Sequence, residues 1–278
     1  MSKEIRVLLV EDDFYARNWM ELLLRRDWRT KVSREVTNAT ALSAALADVA
    51  EHHEKIDLIL IDTDIPHNPT WLLEVMHCLE NYSPNTAVMF TGVVPNPQIV
   101  QMLQQPKVIG YILKDEIRYS LAWAVSLASK SQLVITPGVA GMLDCNRHLS
   151  SEILILDGRE PIPVEGLSAL EKKRSRMAFV FSMERREFAD EEEISEDYSY
   201  GVVNMLYEKL GLNDVLEGES PAEHLFGSHP AVTVHLKQTL DHLKRSRSKK
   251  AKDKETLAFH LLTLPKIDTL GGKKNSDF

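Results

Sequence analysis

Residues 57–62 are Asp-Leu-Ile-Leu-Ile-Asp, four aliphatic residues in a row that end at the carboxylate of Asp62. Three more short apolar runs also end at a polar side chain. They are Val7–Val10 before Glu11 and Asp12, Ala87–Phe90 before Thr91, and Gly110–Leu113 before Lys114. Short apolar runs without a helical period are typical of buried strands in a parallel sheet. The pattern therefore predicts four such strands.

Strands and helices alternate between residues 5 and 130. The predicted strands are 5–10, 31–36, 57–61, 86–90 and 108–112, and the predicted helices are 15–26, 40–51, 71–79, 97–104 and 116–130. Successive βα units of this length imply right-handed crossovers between parallel strands. We therefore predict an α/β fold with a doubly wound, five-stranded parallel sheet, followed by a mostly α-helical C-terminal domain.

The polar residues that follow these strands are expected to meet at one edge of the sheet, because parallel strands place their carboxyl ends together. This edge would hold three carboxylates, a hydroxyl and an ammonium: Glu11, Asp12, Asp62, Thr91 and Lys114. Carboxylates suit Mg²⁺, which neutralises charge on a transferring phosphoryl group. Asp62 is then placed to be the nucleophile. The plainer alternative is that these residues only cap a helix, start a turn or end a strand.

In these motifs the chain resembles the receiver domain of two-component response regulators, the CheY-like fold, over residues 1–130. The resemblance rests on the first strand with its acidic pair, on the strand that ends at Asp62 and is followed by Pro66, and on the residues that end strands four and five. It implies that Asp62 accepts a phosphoryl group from a histidine kinase. It also implies an Mg²⁺ site formed by Glu11, Asp12, Asp62 and the backbone carbonyl of Asp64.

The same resemblance implies that Thr91 and Tyr111 are switch residues and that Lys114 binds the phosphoryl group. Two features depart from the family pattern. Asp115 follows the lysine where many receivers have proline, a combination familiar from regulators with LuxR-type output domains. Asp64 places an acidic side chain two residues past Asp62, and our hypothesis is that it alters the dephosphorylation rate.

The second half of the chain has a different composition. Pro137-Gly138, Asp157-Gly158 and Pro161-Ile162-Pro163 are typical of turns and loops. We predict a receiver domain over 1–130, a linker over 131–165, a helical output domain over 166–243 and a basic, partly disordered tail over 244–278. Residues 153–156 fit either a short strand or an extended linker, and residues 271–278 are expected to be disordered.

Residues 172–211 resemble, loosely, the helix-turn-helix of LuxR-type output domains. Ser195 is a good N-cap for the last helix, and Gly211 is a good left-handed stop. The resemblance implies a DNA-binding output. The candidate DNA contacts are Tyr200, Asn204, Lys209, Lys244, Arg245 and Arg247.

The negative charge of residues 184–214 argues against direct DNA binding by this segment. Residues 184–214 contain ten acidic and three basic residues, and such a surface repels a phosphate backbone. Residues 237–254 contain eight basic and two acidic residues and could supply the phosphate contacts, as could residues 172–176. The plainer alternative for this basic segment is a solvated, flexible run of charge. The output domain therefore binds either DNA or a protein partner.

The whole chain has 278 residues, a net charge of −8 and two cysteines, Cys78 and Cys145. The cysteine content suits a reducing cytoplasm, and no apolar run reaches the ~18–20 residues of a membrane span. We predict a cytoplasmic protein with no membrane partner. The histidines at 224, 229, 235 and 242 follow no compact metal-ligand spacing.

Three functions follow from these features. The first is a transcription factor, controlled by phosphorylation and dimeric when phosphorylated through the surface of the fourth helix, fifth strand and fifth helix. The second is a response regulator whose output binds protein. The third is an enzyme of the haloacid-dehalogenase type, which also uses an aspartyl nucleophile. That family carries its nucleophile on the first strand, whereas Asp62 follows the third, so we expect no enzyme activity beyond the chemistry of Asp62 itself.

Overall fold

The structure is a computed structural model that describes residues 4–65, 71–82, 85–128, 132–143, 152–159, 166–218, 221, 223–246 and 250–270. The chain forms two compact units. The first unit comprises residues 1–159 together with 265–278, and the second comprises residues 160–264. The helical second unit is therefore inserted into the first, and the chain returns to the first unit at its end.

In its described residues, the first unit is built on one sheet of eight strands. They are β1 (Ile5–Val10), β2 (Thr30–Val36), β3 (Leu58–Asp62), β4 (Ala87–Gly92), β5 (Val108–Leu113), β6 (Leu133–Ile135), β7 (Ile153–Asp157) and β8 (Lys266–Leu270). The strand order is β2-β1-β3-β4-β5-β6-β7-β8. All neighbours are parallel except β7 and β8. The predicted doubly wound α/β fold is confirmed, but the prediction of five strands was too low.

Helices cover both faces of this sheet. They are α1 (Phe14–Arg26), α2 (Ala39–Glu51), α3 (Trp71–Tyr82), α4 (Pro97–Met102), α5 (Lys114–Ile117), α6 (Leu121–Ala128) and α7 (Pro137–Ala140). Helices α1 and α6 pack together, as do α2 and α3. Asp13, Asn38 and Asn96 cap α1, α2 and α4 by accepting a hydrogen bond from a backbone N–H of the first turn. The helix predicted over 116–130 is instead divided at Arg118, whose φ is +43°.

The predicted linker over 131–165 is wrong where the structure describes it, because it contains strands β6 and β7. Leu133, Val134 and Ile135 are buried and pair with β5 on one side and β7 on the other. The glycine at 110 allows this pairing, since a Cβ there would lie 2.7 Å from the carbonyl oxygen of Val134. These segments are only three and five residues long and lie between turn residues, which is why they resemble a linker. Their burial in the sheet nevertheless makes them strands.

The edge strand β8 brings the chain back to the sheet after the helical unit. It pairs antiparallel with β7, and Lys266 is the partner of Asp157. The two points where the chain leaves and rejoins the sheet are therefore neighbours in the ladder. Of the tail predicted over 244–278, residues 250–270 form a helix and this strand, while residues 271–278 lie outside the described part of the chain.

The second unit is helical. Its elements are α8 (Ala169–Ser175), a π-helical turn (Arg176–Val180), α9 (Arg185–Glu191), α10 (Glu196–Lys209), α11 (Leu212–Glu217), α12 (Glu223–Phe226), α13 (Pro230–Ser246) and α14 (Lys250–Leu262). Ser195 caps α10 by accepting from the N–H of Tyr198, and Gly211 has a φ of +65°, so both predicted helix boundaries are confirmed. None of the helices in the described residues is long and apolar enough to cross a membrane.

Candidate functional site

The predicted site residues lie at one edge of the sheet. Glu11 and Asp12 directly follow β1, Asp62 ends β3 and Lys114 directly follows β5. The parallel ladders pair Val10 with Ile61, and Asp62 with Thr91. Adjacent strands therefore end at the same level, and the side chains that follow them face a common crevice.

The three carboxylates form a compact cluster. One oxygen from each of Glu11, Asp12 and Asp62 lies within 4.8 Å of the other two. Glu11 and Asp62 are buried, whereas Asp12 is exposed. Burial raises the pKa of both buried carboxyl groups, because the anions lose hydration, and the Lys114 ammonium only partly offsets this effect. Asp13 does not join the cluster, since its carboxylate accepts a hydrogen bond from the N–H of Ala16.

Lys114 is the counter-ion of the cluster. Its Nζ lies 2.8 Å from Oε2 of Glu11 and 3.1 Å from Oδ1 of Asp62. Burial by itself would lower the pKa of Lys114, but the hydrogen bond to Glu11 and the charge of Asp62 outweigh burial and raise the pKa. The ammonium therefore stays charged beside the predicted nucleophile.

The donor set fits a magnesium ion. Mg²⁺ prefers oxygen ligands and is usually bound by one or two carboxylates together with water or substrate oxygens. Glu11, Asp12 and Asp62 offer three carboxylates close enough to share one cation. The predicted fourth ligand, the backbone carbonyl of Asp64, stays a prediction. Pro66, part of the same motif, lies outside the described residues.

The Thr91 hydroxyl is available to a ligand. Its Oγ1 is buried and has no hydrogen-bond partner within the described residues. The backbone carbonyl of Thr91 is used instead, because it accepts hydrogen bonds from N and Oγ1 of Thr63 at 2.8 and 2.9 Å. A buried hydroxyl without a partner is unfavourable, so a phosphoryl oxygen bound here would satisfy it.

Tyr111 is buried and contacts the loop that follows β4. Its hydroxyl donates to the carbonyl of Val94 and accepts from the N–H of Asn96, both at 3.0 Å. Its ring also packs edge-on against Phe90. The predicted switch residues Thr91 and Tyr111 therefore lie on adjacent strands, and Tyr111 binds the loop that follows Thr91.

The structure adds two contacts that the sequence did not indicate. The carboxylate of Asp64 accepts a hydrogen bond of 2.6 Å from the N–H of Val93, so it ties the loop after β3 to the loop after β4. The side chain of Thr63 occupies the space beside Gly92, where a Cβ would lie 2.5 Å from Thr63 Oγ1. The sequence predicts that Asp64 lies next to the site, but no sequence pattern indicates its backbone partner.

The candidate DNA contacts do not form one basic surface. Tyr200 and Asn204 are exposed on α10, and the ring of Tyr200 lies 5.8 Å from the guanidinium of Arg185. Lys209 is 2.5 Å from Glu171, which lowers the pKa of that carboxyl group to about 2. Lys244 and Arg245 are exposed near the end of α13, whereas Arg247 lies outside the described residues.

The exposed face of α10 is acidic. Its outward positions, spaced as one helical face, are Asp197, Tyr200, Gly201, Asn204 and Glu208. The basic segment 172–176, a second candidate phosphate clamp, is partly neutralised because Lys173 and Arg174 both bind Glu192, at 2.9 and 2.6 Å. The exposed face of α10 therefore offers carboxylates and a tyrosine to a partner.

No protein-family model and no curated protein matches the chain. The chain is similar to response regulators of known structure. The RcsB–DNA complex is 16% identical over 84% of this chain and 98% of that chain, with a TM-score of 0.43. The isolated REC domain of RcsB from Salmonella enterica serovar Typhimurium is 16% identical over 51% of this chain and 100% of that chain, with a TM-score of 0.43. ChrA, from a heme-sensing two-component system, is 20% identical over 85% of this chain and 98% of that chain, with a TM-score of 0.38.

Proposed function

We propose that this chain is a response regulator that accepts a phosphoryl group on Asp62, with Mg²⁺ as cofactor, and passes that state to its helical unit. The observation that carries the proposal is the cluster of Glu11, Asp12 and Asp62 with the Lys114 ammonium bound to two of its carboxylates. The buried Thr91 hydroxyl without a partner in the described residues gives further support.

The chemistry assigns a role to each residue. A carboxylate oxygen of Asp62 attacks the phosphorus of a phosphohistidine on a histidine kinase, the P–N bond breaks, and the nitrogen leaves with the electron pair. Lys114 and the Thr91 hydroxyl stabilise the negative oxygens of the phosphoryl group. Glu11, Asp12 and Asp62 would hold Mg²⁺, which when bound would supply positive charge to the transferring group. The chain is then a phosphoacceptor and not an enzyme that acts on a separate substrate.

For the output we propose sequence-specific DNA binding by the helical unit, in a homodimeric state when Asp62 is phosphorylated. The support is that α9 and α10 are joined by a short turn, as in the predicted helix-turn-helix, and that Lys244 and Arg245 are exposed cations for phosphate contacts. The predicted dimer surface of the fourth helix, fifth strand and fifth helix is partly covered in this structure. The edge of β5 is paired with β6, and every residue of α6 is buried.

One observation favours a second candidate, an output that binds a basic protein partner. The exposed face of α10 carries Asp197 and Glu208, and Lys209 is bound to Glu171. Such a face repels DNA phosphates and attracts lysine and arginine side chains.

Selection from random duplex DNA distinguishes the two proposed output functions. It uses the full-length protein in Mg²⁺, with and without acetyl phosphate. We expect an enriched motif that strengthens on phosphorylation. Lys244→Gln/Arg245→Gln should weaken binding and reduce its salt dependence, whereas Lys31→Gln, at an exposed lysine on β2 of the first unit, serves as the control. If intact mass shows that Asp62 is phosphorylated and no motif is enriched in either state, sequence-specific DNA binding is excluded and the protein-partner function is supported.

A further inference from the structure

The turn that carries Lys114 is held by a residue outside the phosphoacceptor cluster. Glu116 lies two residues after Lys114 in α5 and is 7% exposed. Its Oε2 accepts a hydrogen bond of 2.8 Å from the N–H of Gly138. Its backbone carbonyl accepts one of 2.7 Å from the N–H of Gly158. Glu116 therefore joins the α5 turn to α7 and to the residue after β7.

A third contact of Glu116 reaches the end of the first unit. Its Oε1 lies 3.2 Å from Nη1 of Arg159, the last residue before the chain passes into the helical unit. Arg159 is itself fixed by Asp157, whose two oxygens bind Nε at 3.0 Å and Nη2 at 2.7 Å. A two-point contact between guanidinium and carboxylate holds the arginine in one orientation.

The residues around this turn are packed so closely that the turn cannot move unless its neighbours also move. A Cβ at Gly158 would collide with the carbonyl oxygen of Ile117 and lie 2.8 Å from Ser120 Oγ. A Cβ at Gly138 would lie 2.7 Å from Leu113 Cδ1. The backbone N–H of Leu113 is also bound, at 3.1 Å, to the buried hydroxyl of Thr136. The Lys114 turn is therefore in close contact with β6, with α7 and with the end of β7.

We propose that Glu116 is a positioning residue that fixes the Lys114 turn and couples the state of Asp62 to the point where the chain leaves the sheet at Arg159. The coupling rests on the proposed phosphorylation of Asp62. A phosphoryl group there adds negative charge beside the Lys114 ammonium, which draws the lysine and its turn toward the site. The turn takes Glu116 with it and changes its contacts with Gly158 and Arg159.

The test uses full-length Glu116→Gln, Arg159→Gln and the double variant. Glutamine keeps the shape and the acceptor for Gly138 but removes the charge that Arg159 binds. Arg25→Gln is the matched control, because it also removes an exposed arginine paired with a glutamate, Glu21, but on α1 and not in the Lys114 turn. Two quantities are measured in Mg²⁺: the rate of phosphoryl uptake from acetyl phosphate by intact mass, and amide hydrogen exchange at Gly158 with and without phosphorylation.

In the wild type we expect phosphorylation to change exchange at Gly158. Glu116→Gln and Arg159→Gln should each lower the uptake rate about threefold to tenfold and remove most of the exchange response, and the double variant should be no worse than either single one. Arg25→Gln should behave like the wild type. Because Arg159 is partly exposed, Arg159→Gln should fold even if Glu116→Gln does not, and it then tests the coupling alone.

The outcomes separate this inference from the proposed function. A wild type that takes up no phosphoryl group overturns both. A wild type that is phosphorylated while Gly158 exchange stays unchanged overturns the coupling alone. Additive effects of the two single variants also overturn it, since independent residues would act separately.

Discussion

At the scale of single residues, the site depends on close contacts between the loops after β3 and β4. Thr63 fills the space beside Gly92 and binds the carbonyl of Thr91, while Asp64 binds the N–H of Val93. The position of Thr91 is therefore set by the two residues that follow Asp62. Changes at these positions should alter the site without removing any reacting group.

Gly92→Ala tests this packing. Its Cβ would approach Thr63 Oγ1 to 2.5 Å, so the hydroxyl must move and lose its bond to Thr91. We expect a loss of about 1–3 kcal/mol in the free energy of unfolding, measured with urea. The double variant Gly92→Ala/Thr63→Ala should recover part of this loss. An undiminished loss in the double variant would show that Thr63 is not the obstacle.

The metal site should depend on pH because burial raises the pKa of Glu11 and Asp62 above their ordinary values of 4.5 and 3.8. As pH rises from these values through the raised folded-state pKa values, ionisation inside the protein costs stability, and a cation compensates for it. Mg²⁺ should therefore raise the melting temperature more at pH 7.5 than at pH 5, with ~2–4 °C per kcal/mol of binding in a chain of this size.

Calorimetry with Mg²⁺ and then with excess EDTA measures this effect. Asp12→Asn removes an exposed ligand and should abolish most of the shift, whereas Asp13→Asn, which keeps the α1 cap, should not. An Mg²⁺ shift of equal size at both pH values, or one that survives in Asp12→Asn, would contradict the assigned ligands.

The reacting residues could be predicted from sequence because each directly follows a strongly apolar strand. Thr63 and the loop contacts of Asp64 could not, since their partners are backbone atoms that only the folded loops bring together. The pairing of Lys209 with Glu171 was also hidden, because the two residues are 38 positions apart.

At the scale of elements, the sheet continues past β5 through β6. Gly110 makes this pairing possible, because any side chain there would meet the carbonyl oxygen of Val134 and the side chain of Met89. The first five strands were predictable from their length and their alternation with helices. The strands β6 and β7 were not, because short apolar runs between turn residues fit a strand and an extended linker equally well.

Gly110→Ala should therefore separate β5 from β6. We expect it to cost about 1–3 kcal/mol of unfolding free energy and to increase amide exchange in residues 133–135. Gly141→Ala is the control, since its Cβ would make only ordinary contacts of 3.6 Å. Equal stability of the two variants would contradict the close approach of β5 and β6.

At the scale of the whole molecule, the helical unit is an insertion between two strands that are ladder neighbours. The chain leaves the sheet after β7 and rejoins it at β8, where Asp157 lies opposite Lys266. The sequence does not indicate this, because pairing between residues more than a hundred positions apart leaves no local pattern. The predicted C-terminal output domain with a disordered tail was the simpler arrangement.

Removal of residues 265–278 tests this arrangement. Loss of β8 exposes the edge of β7, so the truncated chain should be less stable and should self-associate at high concentration. Removal of residues 271–278 alone is the matched control and should have little effect. Light scattering and thermal unfolding measure both, and a fully stable, monodisperse chain lacking 265–278 would contradict a structural role for β8.

The most direct test of the central claim is phosphoryl uptake by Asp62. The full-length wild type, Asp62→Asn and Asp57→Asn are incubated with acetyl phosphate with and without Mg²⁺, and intact mass and circular dichroism are recorded. Asp57 is the control because it lies just before β3, at the end opposite Asp62, and its carboxylate binds the N–H of Arg6. We expect Mg²⁺-dependent addition of one phosphoryl group to the wild type and Asp57→Asn, and none to a folded Asp62→Asn. Equal uptake by Asp62→Asn, or uptake by no variant, would contradict the account.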